Sequence, residues 1–142
     1  MSLSNPDNQL EKDFLNYLDD KNEVEWYWEN GTELMRVNFG ISYNNGMNTF
    51  QPDFIVKFSN GTVGIFDTKP VDHRVDDTTV KANALFKYLQ DINSNRDGAP
   101  KVIGGIVVKT GTQFYVYTSG EYHDYNANHN GWITFNELLR KL

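Results

Sequence analysis

Two short apolar runs, residues 54–58 and 62–66, flank Ser59-Asn60-Gly61. Alternating aromatic and β-branched residues broken by Asn-Gly predict two strands joined by a tight turn. The second strand folds back on the first, so Pro52-Asp53 and Asp67-Thr68-Lys69 meet at one end of a hairpin. Loop length then sets which side chains share a face. A two-residue loop pairs Asp53 with Thr68 and turns Asp67 to the other face. A three-residue loop, with Gly61 in the left-handed bulge position, pairs Phe58 with Thr62 and sets Asp53 opposite Asp67. The second register gathers Phe54, Val56, Phe58 and Phe66 on one face. It leaves Asp53, Ile55, Lys57, Val63, Ile65, Asp67 and Lys69 on the other. Because it keeps Asp67 off the aromatic face, it is the expected one.

The rest of the chain supplies cover for this ribbon. Asn5-Pro6-Asp7 opens a helix with an apolar stripe of Leu10, Phe14, Tyr17 and Leu18. Strands are expected at 24–28 and 35–43, the second closed by Asn44-Asn45-Gly46. A helix over 78–92 buries Ala82, Leu85, Phe86, Leu89 and Ile92. Strands follow at 101–109 and 113–118, with Gly104-Gly105 allowing close backbone approach. A polar loop leads to a last helix over 135–142. A helix between the strands at 62–66 and 101–109 predicts a parallel crossover. The fold class is therefore α/β, a mixed sheet with helices on both faces.

Composition narrows the function. The 142 residues suit one domain, 1–142, and 14% aromatic content argues for a packed core. There is no cysteine, hence no disulfide framework and no thiolate metal site. No apolar run reaches membrane-spanning length, so no membrane partner is expected and the expected location is cytoplasmic. A net charge of −6 makes the chain a poor autonomous DNA binder, since those carry basic surfaces.

Two opposed acids with a lysine two residues on suit divalent-metal phosphodiester chemistry. Magnesium takes hard oxygen ligands, often one or two carboxylates completed by water and phosphate oxygens. Asp53 and Asp67 supply the carboxylates and the Thr68 carbonyl a third ligand. Lys69 can hold an attacking water and offset charge on the phosphorus. On spacing alone, a strand-end salt bridge between Lys69 and an acid explains the same residues.

Pro52-Asp53 followed by Asp67-Thr68-Lys69 resembles the PD-(D/E)XK motif of restriction-endonuclease-like nucleases. Residues 24–30, 51–56, 64–69 and 81–88 together resemble one branch of it, in the order α-β-β-β-α-β over residues 10–118. That branch is the C-terminal nuclease domain of type III restriction subunits and DEAD/DEAH-box helicases. The resemblance implies a three-layer fold and a magnesium-dependent DNA endonuclease, with manganese as a substitute cation. Asp53 and Asp67 match the family's metal-binding acids and Lys69 its catalytic lysine. Glu11 matches an accessory helix glutamate, and Lys81 a polar residue near the scissile phosphate. The resemblance further implies a fragment of a larger polypeptide, partnered by DNA, by a helicase/ATPase region of the same parent and by a modification subunit. A non-catalytic scaffold or docking domain of a helicase is the alternative.

A second metal signal lies in residues 126–137, which match calcium-loop spacing with Gly131 sixth and Glu137 twelfth. Three asparagines stand where acids are usual. The competing reading is a turn followed by a Thr134–Glu137 capping box. His123 and His129 read as lone loop histidines, and His73 as a solvated loop residue within reach of a phosphate near Lys69.

Overall fold

In the computed structural model, the residues described are 6–30, 40–43, 45–71, 77–95, 101–119, 122–125 and 131–142. They form α1 (Pro6–Asp19), β1 (Val24–Glu29), β2 (Ile41–Tyr43), β3 (Asn48–Phe50), β4 (Phe54–Phe58) and β5 (Val63–Thr68). After these come α2 (Asp77–Ser94), β6 (Val102–Thr110), β7 (Gln113–Tyr117), β8 (Trp132–Thr134) and α3 (Phe135–Arg140). Six strands make one mixed sheet in the order β1-β4-β5-β6-β7-β8. Only β5 and β6 in that sheet run parallel, joined through α2 as the helix between them requires. The strands β2 and β3 pair apart from it as a small hairpin.

The central ribbon has the expected register. Phe54 lies opposite Phe66, Ile55 opposite Ile65 and Lys57 opposite Val63. The Gly61 N–H donates to the Phe58 carbonyl at 2.9 Å and the Phe58 N–H to the Thr62 carbonyl at 2.8 Å. Gly61 sits at φ 93°, where a side chain would be strained. A facing residue pair plus a three-residue loop thus keeps every aromatic of the ribbon on one side.

That side is closed by α1 and α3. Phe14 of α1 is fully buried and its ring centroid lies 5.4 Å from Phe54, 5.4 Å from Phe114 and 5.3 Å from Phe135. Truncating such a ring to alanine costs about 3–5 kcal/mol, so this residue anchors α1 to the sheet. The other side is closed by α2, whose Leu85 and Leu89 pack with Ile65, Val102 and the Ile41–Phe50 pair of the small hairpin. Helices therefore cover both faces.

The glycine pair in β6 is a requirement of packing. A Cβ on Gly104 would stand 2.1 Å from the Ile65 carbonyl oxygen, and one on Gly105 would stand 1.8 Å from that of Tyr117. Neither neighbour is a side chain that could swing aside.

Several boundaries differ from the sequence reading. The expected strand over 35–43 is β2 over its last three residues; 31–39 and Asn44 lie outside the described residues, as does Asn5. The stretch after Gly46 contains β3, and the supposed C-terminal loop contains β8, both too short for periodicity to show. The last helix stops at Arg140, with Lys141 as its cap. Of the calcium-type loop, residues 126–130 lie outside the described residues. Its remainder is β8 and a helix start, where Thr134 Oγ1 accepts the Glu137 N–H at 3.1 Å. The Glu137 carboxylate pairs with Lys141 at 3.7 Å.

Candidate functional site

The ladder between β4 and β5 ends one residue short of Asp53, and the Thr68 N–H at that end has no strand carbonyl opposite it. The Asp53 carboxylate takes that place. Its Oδ2 accepts from the Thr68 N–H at 2.9 Å and from the Thr68 hydroxyl at 2.8 Å. In return Asp67 Oδ1 accepts from the Asp53 N–H at 3.1 Å. Each acid thus bonds the backbone of the other's strand.

Asn30, just beyond β1, holds the far side. Its N–H donates to the Asp53 carbonyl at 2.8 Å, and its side-chain amide to the Pro52 carbonyl at 2.9 Å. The two strands that flank β4 therefore both hold the Pro52-Asp53 segment.

The two acids differ in environment. Asp67 is 3% exposed. Burial holds its carboxyl well above the usual carboxylate range; the Asp53 charge adds to the rise and Lys69 opposes it. Asp67 Oδ2 is buried and accepts no hydrogen bond, with the Lys69 ammonium at 3.5 Å. Asp53 is half-buried and its oxygen is bonded.

A buried carboxylate oxygen with no donor calls for a cation or a proton. The Thr68 carbonyl is the next hard donor. Lys69 N–H donates to the Val107 carbonyl at 2.9 Å, so Lys69 faces β6 through its backbone. Backbone groups alternate along a strand, which directs those of Thr68 to the opposite edge, beside Asp53. The residues present fit a small oxygen-seeking divalent cation: two carboxylates of opposed strands, one orphaned oxygen and one carbonyl.

The structure therefore brings together Asp53, Asp67, Thr68 and Lys69. Glu11 is half-buried on α1, on the face of the sheet opposite α2. Among the described residues no group of three acids or histidines suited to a metal is formed, with or without Glu11. Lys81 is half-buried on α2, its ammonium 5.8 Å from the centre of the Phe50 ring, close in sequence to Asp53. His73 and His129 lie outside the described residues, and His123 is exposed. The Thr68 hydroxyl and Asn30 escaped the sequence reading. The signal for both was their place at strand ends, where an unpaired backbone group needs a side-chain partner.

Comparison of the chain with protein-family models, with curated proteins and with solved structures finds no match. Among the described residues no helix is long and apolar enough to cross a membrane.

Proposed function

We propose that the chain is a divalent-metal-dependent nuclease domain acting on DNA, of the restriction-endonuclease-like kind that its PD…DTK pattern resembles. The observation that carries the reading is Asp67 Oδ2, a buried carboxylate oxygen without a donor, set beside Asp53 and 3.5 Å from Lys69. Burying such a carboxylate is costly; the Lys69 ammonium or a proton offsets part of that cost, and a bound divalent cation would offset more.

Asp53, Asp67 and the Thr68 carbonyl would hold magnesium or manganese. When bound, the cation supplies positive charge at the reacting phosphate and makes a water more acidic. Lys69 orients that water and offsets charge building on the phosphate oxygens. Asn30 and Thr68 keep the acids in place. A net charge of −6 leaves most DNA affinity to other parts of an assembly, such as a helicase/ATPase region of one parent polypeptide or a modification subunit.

The test is nicking of supercoiled plasmid with magnesium or manganese, by this chain and by a longer polypeptide that contains it. Metal-dependent nicking abolished by Asp67→Asn supports the reading. Absence of nicking in both proteins refutes it.

A second reading has its own observation. Asp53 Oδ2 already takes two hydrogen bonds from Thr68, as a structural brace would. On that reading the chain is a non-catalytic scaffold of a helicase, and both proteins fail to nick while Asp53→Ala unfolds readily.

A further inference from the structure

The edge strand β1 carries two indoles that the core does not use. Trp26 is 44% exposed and Trp28 46% exposed, whereas Trp132 is buried with its N–H donating to the His123 carbonyl. Trp28 lies opposite Ile55 and Trp26 opposite Lys57, while Tyr27 between them faces Val56 and packs into the α1 core. Both tryptophans therefore stand on the face that carries Ile55 and Ile65, and by alternation Asp67 and Lys69.

Trp28 is one strand and two residues from Asp53, roughly 8 Å between backbones, and Trp26 follows about 7 Å further along. The α2 helix packs over β6 and the small hairpin. Of the acids on β1, Glu25 pairs with Lys57 at 3.8 Å and Glu29 lies opposite Phe54, on the other face. The indoles thus form an apolar strip of low net charge leading to the carboxylate pair.

We infer that Trp26 and Trp28 are a stacking platform for unpaired bases of the nucleic-acid strand whose phosphate lies at Asp53 and Asp67. The inference rests on the nuclease reading and names its substrate class as single-stranded or locally unpaired nucleic acid. Base–aromatic stacking tolerates any sequence, because every base has a π-face. A duplex keeps its base faces stacked internally and offers none to the indoles.

The probe is a fluorescently labelled oligodeoxythymidylate, its anisotropy followed in EDTA at low salt, against a duplex of the same length. The single strand should bind more tightly than the duplex. Trp26→Ala/Trp28→Ala should weaken single-strand binding on the order of a hundredfold, and Trp26→Phe/Trp28→Phe should retain most of it. An unchanged melting temperature in each variant confirms the fold. Equal binding by parent and alanine variant, tighter duplex binding, or no binding by the parent overturns the platform. So does sedimentation showing that the alanine variant splits a dimer of the parent, which would assign the indoles to a second copy of this chain. Plasmid nicking tests the other premise separately. Nicking without indole-dependent binding removes the platform alone, and indole-dependent binding without nicking removes the nuclease reading alone.

Discussion

Thr68 donates twice to a single oxygen of Asp53, through its N–H at 2.9 Å and its hydroxyl at 2.8 Å. The hydroxyl is buried with its residue, so the bond is shielded from water. Thr68→Val removes one donor and keeps the shape. A hydrogen bond to a charged acceptor contributes about 1.5–3 kcal/mol. We expect a loss of about 1–2 kcal/mol in urea unfolding, with an unchanged dependence on denaturant. A loss near zero would show that the hydroxyl is idle.

The unequal burial of the two acids sets a pH dependence. The folded state holds the Asp67 proton more tightly than the unfolded chain does. Above the unfolded value of about 4, folding must either keep that proton or bury the charge, so metal-free stability falls as pH rises. Asp67→Asn removes this cost. Its melting temperature in EDTA should exceed the parent's by more at pH 7 than at pH 4. A difference that shrinks as pH rises would mean that Asp67 is stabilised as an anion by Lys69.

Manganese should reverse that order. A cation that binds only the folded state adds about 2.7 kcal/mol at a hundred times its dissociation constant. For a chain of this size that is several degrees of melting temperature. The shift should appear in the parent, vanish in Asp67→Asn and persist in Glu137→Gln. Loss in Glu137→Gln alone would move the cation to the C-terminal segment.

Lys69→Ala separates chemistry from fold. The lysine is partly exposed, so its removal should lower the melting temperature only slightly. It should also push the Asp67 carboxyl further up, since the ammonium is the one neighbour that lowers it. Nicking should slow on the order of a hundredfold. A rate equal to the parent's would leave Lys69 no part in the reaction.

The ribbon was legible because a glycine-bearing turn and strict alternation fix a register between them, and Asp53 and Asp67 followed from it. The helices showed through apolar stripes such as Phe14, Tyr17 and Leu18. The short strands β3 and β8 did not, since three residues carry less than two periods of alternation. Depth was also hidden. Alternation says that Asp53 and Asp67 share a side, yet not that one is half-buried and the other enclosed. The indoles of β1 read simply as strand formers, because exposure depends on which strand ends at the sheet edge.

Asn30 ties the backbone of Asp53 to the outermost strand. Edge strands open by local fluctuation at lower free energy than the centre of a sheet. Each time β1 frays at Asn30, the Pro52-Asp53 peptide loses its brace while the Phe14 cluster stays intact. Competence of the site is therefore a property of a foldon weaker than the whole domain. Amide exchange at Asn30 should outpace that of Val107, and heating should silence the site before the molecule melts.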